Sequence, residues 1–202
     1  MGYGSTVMIF NKEKRLCFFT PTKNGTHTLH KFLRTMGWYT INPFNHAYPE
    51  VLIKKFPNLV NYKTFAFLRN PLERFESFVL FFKQKRQEEL QWVFDEIGIT
   101  KSIQDFSYED MIDLIGKLPN RFDVFYAPQS KWMTFQTTEI LDFDNFESEL
   151  RRIAGVTDMP VPRENATTDW GKSVITDKVR AFVREYYAAD YALAQERLGK
   201  DW

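Results

Sequence analysis

The sequence predicts an α/β fold with a central, mostly parallel sheet flanked by helices. Short apolar runs typical of strands alternate with longer segments of helical period along the chain. Two of those runs, at 16–20 and 64–68, end in a polar turn that leads into a helix. Such units place their strands in parallel and cover both faces of the sheet. We expect a single domain over residues 1–202, since a chain of this length with 44% hydrophobic residues can bury one sizeable core.

The N-terminal half contains the clearest boundary signals. Its predicted elements are strands at 7–10 and 16–20 around a polar turn at 11–15, a helix at 26–36 closed by Gly37, a connection at 38–61 that holds a short helix near 51–56, a strand at 64–68 and a helix from 71 to about 89. Asn70 suits the N-cap of the last helix, Pro71 suits its first position, and Glu73 completes a capping-box pattern. These agreeing signals place the start of that helix.

The C-terminal half is mainly helical. Its predicted elements are an amphipathic helical stretch at 90–121 that includes Tyr108–Ile115 with Ser107 or Asp105 as its cap, a strand at 139–142, a helix at Phe146–Ala154 ended by Gly155, a loop at 160–173 and one long or broken helix at 178–198. The alternation of strands and helices thus continues beyond residue 138, which favours the α/β class.

Charge and cysteine content narrow the function classes. The net charge is +1, so no global field favours nucleic acid or an acidic membrane as a partner, and an anion site would have to be local. Cys17 is the single cysteine of the chain, which excludes an internal disulfide framework and a cysteine-rich zinc site. Its position inside an apolar run predicts a small buried hydrophobic residue.

The sequence also suggests a compartment. No stretch approaches the roughly 20 apolar residues that a membrane-spanning helix needs. The first residues lack the charged and then apolar plan of a secretory signal. We therefore expect a soluble, cytoplasmic protein.

Two polar turns carry a cation where a predicted strand gives way to a helix. Lys23 follows the strand at 16–20, and Arg69 directly follows the strand at 64–68. Free backbone N–H groups at a helix start, together with a cation, suit a phosphate or a sulfate. Ligands of parallel sheets collect at the carboxyl ends of the strands, where both residues fall. The pair therefore predicts a ligand with two anionic groups.

The two turns resemble the motifs of a known enzyme family. Segment 21–28, PTKNGTHT, is similar to the 5′-phosphosulfate loop of sulfotransferases that use 3′-phosphoadenosine-5′-phosphosulfate (PAPS), and segment 67–77, FLRNPLERFES, is similar to their 3′-phosphate motif. Further segments resemble the branch that acts on carbohydrates, which includes the heparan 2-O-sulfotransferases: 127–130 (APQS), 140–143 (ILDF), 145–147 (NFE), 163–165 (REN) and 186–191 (YYAADY). The resemblance spans nearly the whole chain. Three positions depart from the usual pattern: Thr22 separates Pro21 from the lysine, His27 replaces a small hydroxyl residue, and Asn70 replaces aspartate.

The resemblance implies a P-loop-like three-layer fold and a sulfotransferase with PAPS as donor and no metal. The nucleotide-binding residues that it implies are Lys23, Asn24, Gly25, Thr26, His27, Thr28, Arg69, Ser77 and Lys172. Lys23 is also a catalytic candidate, because a flexible ammonium can stabilise the leaving phosphate. Arg69 can bind a 3′-phosphate with two parallel hydrogen bonds, and Ser77, about two turns into the helix, adds a hydroxyl donor on the same side.

A base for the acceptor hydroxyl is still needed. In 2-O-sulfating relatives a histidine followed by an aromatic residue precedes the arginine motif, and segment 45–48, NHAY, resembles it. His46 is therefore the first candidate, since a neutral imidazole removes a proton near pH 7. Glu50 could orient it or serve as the base itself. His27 and His30 lie three residues apart but have no carboxylate or cysteine at ligand spacing, so they do not indicate a metal site.

Two other functions stay open at this stage. One is a nucleotide kinase-like phosphotransferase, which the absence of a G-x-x-x-x-G-K-[ST] loop disfavours. The other is a phosphoadenosine-binding protein without turnover. The acceptor, which we expect to be a carbohydrate, could also be a lipid, a small phenol or a peptide tyrosine, and the sequence does not indicate the oligomeric state.

Some side chains near the second motif have two interpretations. Phe78, Phe81 and Phe82 could form an aromatic platform, but their helical spacing is more typical of core. The run of Lys83, Lys85 and Arg86 reads either as a solvated face or as a patch that steers an acidic glycan. Arg163, Asn165 and Lys172 lie in a loop that could cover the nucleotide.

Overall fold

The fold is built on one five-stranded mixed sheet. The computed structural model describes residues 8–40, 48–85, 87–118, 122–133, 138–163 and 172–202. Within these ranges the strands are β1 (Met8–Asn11), β2 (Leu16–Phe19), β3 (Tyr39–Thr40), β4 (Lys63–Leu68) and β5 (Thr138–Asp142), in the spatial order β3-β1-β2-β4-β5. Strands β2, β4 and β5 run parallel, whereas β1 is antiparallel to both β2 and β3. The predicted α/β class is confirmed. The short β3 lies in the stretch that we predicted to be a connection.

The register of the parallel strands brings their carboxyl ends to one edge of the sheet. Thr64 of β4 lies opposite both Cys17 of β2 and Thr138 of β5. Its hydroxyl also shares a hydrogen bond of 2.8 Å with the hydroxyl of Thr138, inside the sheet. The chain segments that leave β2, β4 and β5 therefore emerge side by side.

Helices surround this sheet. In the described residues they are α1 (Thr26–Arg34), α2 (Pro49–Lys55), α3 (Pro71–Lys85), α4 (Gln87–Glu96), α5 (Tyr108–Ile115), α6 (Asp123–Tyr126), α7 (Phe146–Ala154), α8 (Asp177–Tyr186) and α9 (Ala188–Leu198). The predicted terminal helix is thus broken at Tyr187, where α8 ends and α9 begins. None of these helices combines the length and the apolar composition that crossing a bilayer requires.

Local capping chemistry explains the predicted helix starts. Asn70 Oδ1 accepts a hydrogen bond from the backbone N–H of Leu72 at 2.9 Å, which confirms it as the N-cap of α3. The Glu73 carboxylate, expected to complete a capping box there, accepts from Arg69 Nε at 3.4 Å. Ser107, rather than Asp105, caps α5, and with Asp110 it forms a reciprocal capping box.

Both faces of the sheet are buried. On one face, Phe18, Phe65 and Phe67 pack with apolar residues of α1 and α7. On the other face, alternate strand residues such as Cys17 and Phe19 pack with α2 and the turn around Trp132, and α9 covers the face beside β5. Cys17 is fully buried, as predicted, and burial raises the pKa of its thiol. A separate aromatic core joins α3, α4, α5 and α8.

Candidate functional site

A cleft of about 820 Å³ opens at the carboxyl edge of the sheet. The segments that follow β2, β4 and β5 all contribute to it, as expected where parallel strands end. Most of the predicted nucleotide-binding residues line it: Lys23, Gly25, Thr26, His27, Thr28, Arg69 and Ser77. The structure therefore brings the two predicted anion-binding turns together in one cavity.

The turn after β2 presents the first helical turn of α1 to this cleft. Gly25 is the N-cap of α1 with a left-handed φ of 67°, a conformation that glycine adopts without strain. A Cβ at this position would lie 2.9 Å from the ring of Phe146, so the close packing of α7 also requires glycine. The N–H groups in the first turn of α1 point along the helix axis towards its N-terminal end. They belong to residues that line the cleft, so they can bind an anion there.

Lys23, at the floor of the cleft, has an uncommon backbone conformation and a lowered pKa. Its φ is 66°, an uncommon value for a residue with a Cβ. Its Nζ lies 3.9 Å from the centroid of the Phe81 ring, which places the ammonium over an aromatic face. Burial, together with the charges of Arg69 and Arg74, lowers the pKa of Lys23 to about 7. The side chain can therefore exchange a proton near neutral pH.

Arg69 bridges the two turns at the cleft wall. Its Nη1 donates to the backbone carbonyl of Lys23 at 3.1 Å, and its Nε donates to Glu73 at 3.4 Å. The guanidinium also lies 5.0 Å from the ring centroid of Phe143. Burial lowers the pKa of Arg69, since the pocket removes water from the charge. An anion entering the cleft would restore the solvation that this guanidinium has lost.

A buried amide network fixes the turns relative to each other. Gln129 Oε1 accepts from the Asn24 side chain at 2.5 Å and from the backbone N–H of Arg69 at 3.0 Å. Its Nε2 donates to the carbonyl of Arg69 at 2.8 Å and to Asp190 at 3.2 Å. Asp190 is fully buried and also accepts the backbone N–H groups of Gln129 and Ser130. One amide thus links both turns to the start of α9.

Asn24 has its side chain in this network and not in the cleft. Its Nδ2 donates to the carbonyl of Phe67 at 2.6 Å as well as to Gln129, and the residue is 2% exposed. The structure gives the side chain a role in holding the turn after β2 against β4.

Helix α3 lines the cleft with residues one turn apart. Ser77 and Phe81 both line it, whereas Phe78 and Phe82 are buried in the aromatic core. The core interpretation, which the helical spacing favoured for all three, therefore holds for Phe78 and Phe82, whereas Phe81 is partly buried and also faces the cleft. Lys83 is 4% exposed and donates to the carbonyl of Phe106 at 2.8 Å, so both interpretations that we gave for it are wrong.

Lys172 lies beside the cleft and is not one of the residues that line it. Its Nζ is 3.8 Å from the carboxylate of Glu76, the residue that precedes Ser77. Glu76 also accepts a hydrogen bond from the hydroxyl of Tyr108 at 3.0 Å. Because Glu76 directly precedes Ser77, this ion pair places Lys172 near the predicted 3′-phosphate subsite.

The opposite wall was missed by the sequence reasoning. Residues after β5 and at the start of α7 line the cleft, among them Phe143, Phe146, Glu147 and Arg151. Phe146 packs on Phe67 of β4 with ring centroids 4.6 Å apart, so this wall is attached to the sheet. This wall could have been predicted from the strand at 139–142, because the segment that follows a third parallel strand must reach the same edge of the sheet.

Arg163 also lines the cleft on this side, as expected for the loop that carries it. Its Nε is 3.9 Å from the Glu147 carboxylate. Its neighbour Asn165 lies outside the described residues.

The predicted base lies outside the described residues, because they omit 41–47, which contains His46. Glu50, the alternative, is exposed in the first turn of α2. Within the described ranges, no three His, Cys, Asp or Glu side chains come together as a metal site. The cleft is lined by cationic, aromatic and hydroxyl-bearing side chains, with the carboxylates Asp144 and Glu147 on the α7 side. The cations and aromatic rings suit a phosphorylated aromatic ligand.

Comparison with known proteins gives no relative to argue from. No protein-family profile, no curated protein and no solved structure matches the chain.

Proposed function

We propose that the protein is a sulfotransferase that moves a sulfuryl group from PAPS to an acceptor hydroxyl, with a carbohydrate as the favoured acceptor class. The observation that carries this proposal is the convergence of Lys23 and Arg69, each at the end of a parallel strand, in one cleft. A ligand with two separated anionic groups on an aromatic base matches that arrangement. The proposal includes the P-loop-like three-layer form of the α/β fold.

The proposed roles follow from the position of each group. Arg69 and Ser77 bind the 3′-phosphate, because a guanidinium fork and a hydroxyl are both donors for phosphate oxygens. The N–H groups at the start of α1, with the hydroxyl of Thr28, bind the 5′-phosphate. Phe143 and Phe146 offer aromatic surface for the adenine on the opposite wall.

Lys23 would act on the transferred group. Sulfuryl transfer spreads negative charge over the peripheral and bridging oxygens, so a cation placed at the bridge stabilises the transition state. With a pKa of about 7 the Lys23 amine is only partly protonated in the empty cleft, and a bound phosphate dianion raises that pKa and favours the ammonium. The ammonium then donates to the departing phosphate oxygen, and no metal ion is needed for that step.

The acceptor hydroxyl requires a base. We assign this role to His46, with Glu50 as the alternative, on the sequence resemblance described above. The base removes the proton from the hydroxyl as its oxygen attacks sulfur in line with the departing phosphate.

A donor-turnover assay tests this proposal. The full chain is incubated with PAPS and panels of sugar, phenol, lipid and tyrosyl-peptide acceptors, and release of 3′,5′-phosphoadenosine is followed with and without EDTA. A parallel set uses ATP and magnesium in place of PAPS. We expect acceptor-dependent release that EDTA leaves nearly unchanged. Phosphoryl transfer from ATP that requires magnesium would replace the proposal with a kinase. Tight binding of 3′,5′-phosphoadenosine without turnover on any panel would replace it with a binding protein.

A further inference from the structure

Arg74 is a fully buried cation directly behind Lys23. The residue is 1% exposed on α3, although arginine is almost never fully buried unless it is paired. Among the described residues no carboxylate lies within ion-pair distance of it. Its hydrogen-bond acceptors are instead oxygen atoms of Thr22, in the turn after β2, and of the segment 125–127.

These contacts concentrate on the residue before Lys23. Arg74 Nε donates to the backbone carbonyl of Thr22 at 3.0 Å, and Nη2 donates to the Thr22 hydroxyl at 3.3 Å. Thr22 itself donates to the carbonyl of Val124 at 2.9 Å. Thr22 directly precedes Lys23, so the clamp acts on the backbone next to the lysine.

The same guanidinium holds the neighbouring wall of the cleft. Nη1 donates to the carbonyl of Ala127 at 3.0 Å, and Nη2 is 3.4 Å from the carbonyl of Phe125. The Phe125 ring lines the cleft and stacks at 6.4 Å on Phe81, the ring beneath the Lys23 ammonium. Arg74 therefore joins the backbone before Lys23 to the aromatic floor on which its side chain rests.

We propose that Arg74 is a positioning residue for Lys23: by clamping Thr22 to the 125–127 turn, it holds the Lys23 backbone in its left-handed conformation and its amine on the cleft floor. A left-handed φ at a residue with a Cβ costs free energy and persists only where the surroundings impose it. The inference deepens the proposed function, because a fixed amine matters there for the departing phosphate.

The charge of Arg74 has a second effect. A fixed cation with no carboxylate of the described ranges beside it favours the uncharged form of a neighbouring amine, in the direction already noted for Lys23. Other titratable or charged groups also face the cleft: His27 from α1, Arg69 before α3, Asp144, Glu147 and Arg151 from the β5–α7 side, and Arg163. Of these, Arg69 acts in the same direction.

Competitive labelling of Lys23 by trace acetic anhydride, read by mass spectrometry as a function of pH, tests the inference without any sulfuryl donor. In Arg74→Met the clamp that keeps the Lys23 amine buried is lost together with one neighbouring cation, so we expect the titration midpoint of Lys23 to rise by about one pH unit or more. Arg74→Lys keeps the charge but cannot make all four hydrogen bonds of the guanidinium, so its midpoint should also rise, by less than in Arg74→Met. Lys83→Met removes another buried cation of the same helix and should leave the Lys23 midpoint unchanged. An unchanged midpoint in Arg74→Met, or an equal rise in Lys83→Met, would overturn the inference.

A second pair of variants tests the clamp if Arg74→Met does not fold. Thr22→Val removes the clamped hydroxyl and keeps the arginine, whereas Thr64→Val removes a buried hydroxyl inside the sheet. At roughly pH 9, where the Lys23 amine is uncharged, its labelling rate should change about threefold or more in Thr22→Val and stay at the wild-type value in Thr64→Val. Equal rates in wild type and Thr22→Val would overturn the clamp. Because labelling needs no PAPS, absent turnover would reject the proposed function and leave this result standing.

Discussion

Arg69 Nη1 donates a hydrogen bond to the backbone carbonyl of Lys23 at 3.1 Å, which joins the turn after β4 to the turn after β2. The guanidinium thus has two tasks, because it faces the cleft and also supports the neighbouring loop. Removing the Arg69 side chain should lower the affinity of the cleft for every ligand to some degree. The ratio of two ligand affinities is therefore a sharper readout of its phosphate contact than either affinity alone.

Lys23 should lower the stability of the protein in a pH-dependent way. Its pKa is about 7 in the fold against 10.5 as the ordinary value, so between these values the unfolded chain binds more protons. Stability from this group then rises as pH increases through that window, and the penalty is complete below about pH 7. Lys23→Met should raise the Tm by several degrees near pH 6, and the gain should shrink towards pH 10. Thermal melts across this range check it, with the exposed Lys54→Met as control. A gain independent of pH would contradict the assignment.

Gly25→Ala should damage the cleft more than an alanine at another left-handed glycine. Both Gly25 and Gly37 have positive φ, at 67° and 76°, so both substitutions carry a backbone cost of about 1 kcal/mol. Only at Gly25 does the added Cβ meet the Phe146 ring, at 2.9 Å, whereas nothing lies within 4 Å of it at Gly37. We expect Gly25→Ala to lose an additional 1–3 kcal/mol, roughly, and to weaken nucleotide binding at least about tenfold. Urea unfolding and calorimetry of both variants measure this, and equal losses would show that the contact with α7 is unimportant.

Gln129→Met should destabilise the whole cleft. The substitution keeps the volume but leaves the Asn24 amide, the Arg69 backbone and Asp190 without their shared partner. We expect a loss of about 3 kcal/mol or more, since several buried polar groups lose hydrogen bonds together. Gln91→Met, which removes an exposed bond to Asp95, should cost almost nothing. A similar small cost for both variants in denaturant unfolding would mean that Gln129 does not hold the turns together.

His46→Ala should separate chemistry from binding. If His46 removes the acceptor proton, the variant should lower kcat by roughly 10²–10⁴ while nucleotide affinity stays nearly constant. Glu50→Gln provides the comparison, because this carboxylate is the alternative base. Single-turnover transfer at saturating donor measures both. Near-normal rates in His46→Ala with a slow Glu50→Gln would reassign the base.

Local patterns predicted much of the fold. The start of α3 was predictable because Asn70 and Pro71 lie next to each other in sequence. Helix Phe146–Ala154 was predicted with its observed bounds, and Gly155, which ends it, is left-handed. Lys83 was misread because a hydrogen bond to Phe106, 23 residues away, lets a lysine enter the core.

Several residues of the site were predictable from the sequence, but most of the contacts that hold them were not. Lys23 and Arg69 follow strands, and strand ends are visible in sequence. The network around Gln129 was not predictable, since its partners lie 60 or more residues away and the bonds depend on how the chain packs. The clamp by Arg74 was hidden for the same reason, because contacts of this kind arise from tertiary structure and leave no periodic signal.

The most direct test of a cleft for two phosphates is calorimetric titration of the wild type, Arg69→Ala and Arg184→Ala with 3′,5′-phosphoadenosine and with 5′-AMP. Arg184, on α8, donates a hydrogen bond to the carbonyl of Trp202. Arg184→Ala is therefore the control variant, because it removes an arginine side chain elsewhere on the protein. We expect the wild type and Arg184→Ala to prefer 3′,5′-phosphoadenosine by at least about tenfold, and Arg69→Ala to lose that preference. Equal affinity of the wild type for the two nucleotides would contradict the account.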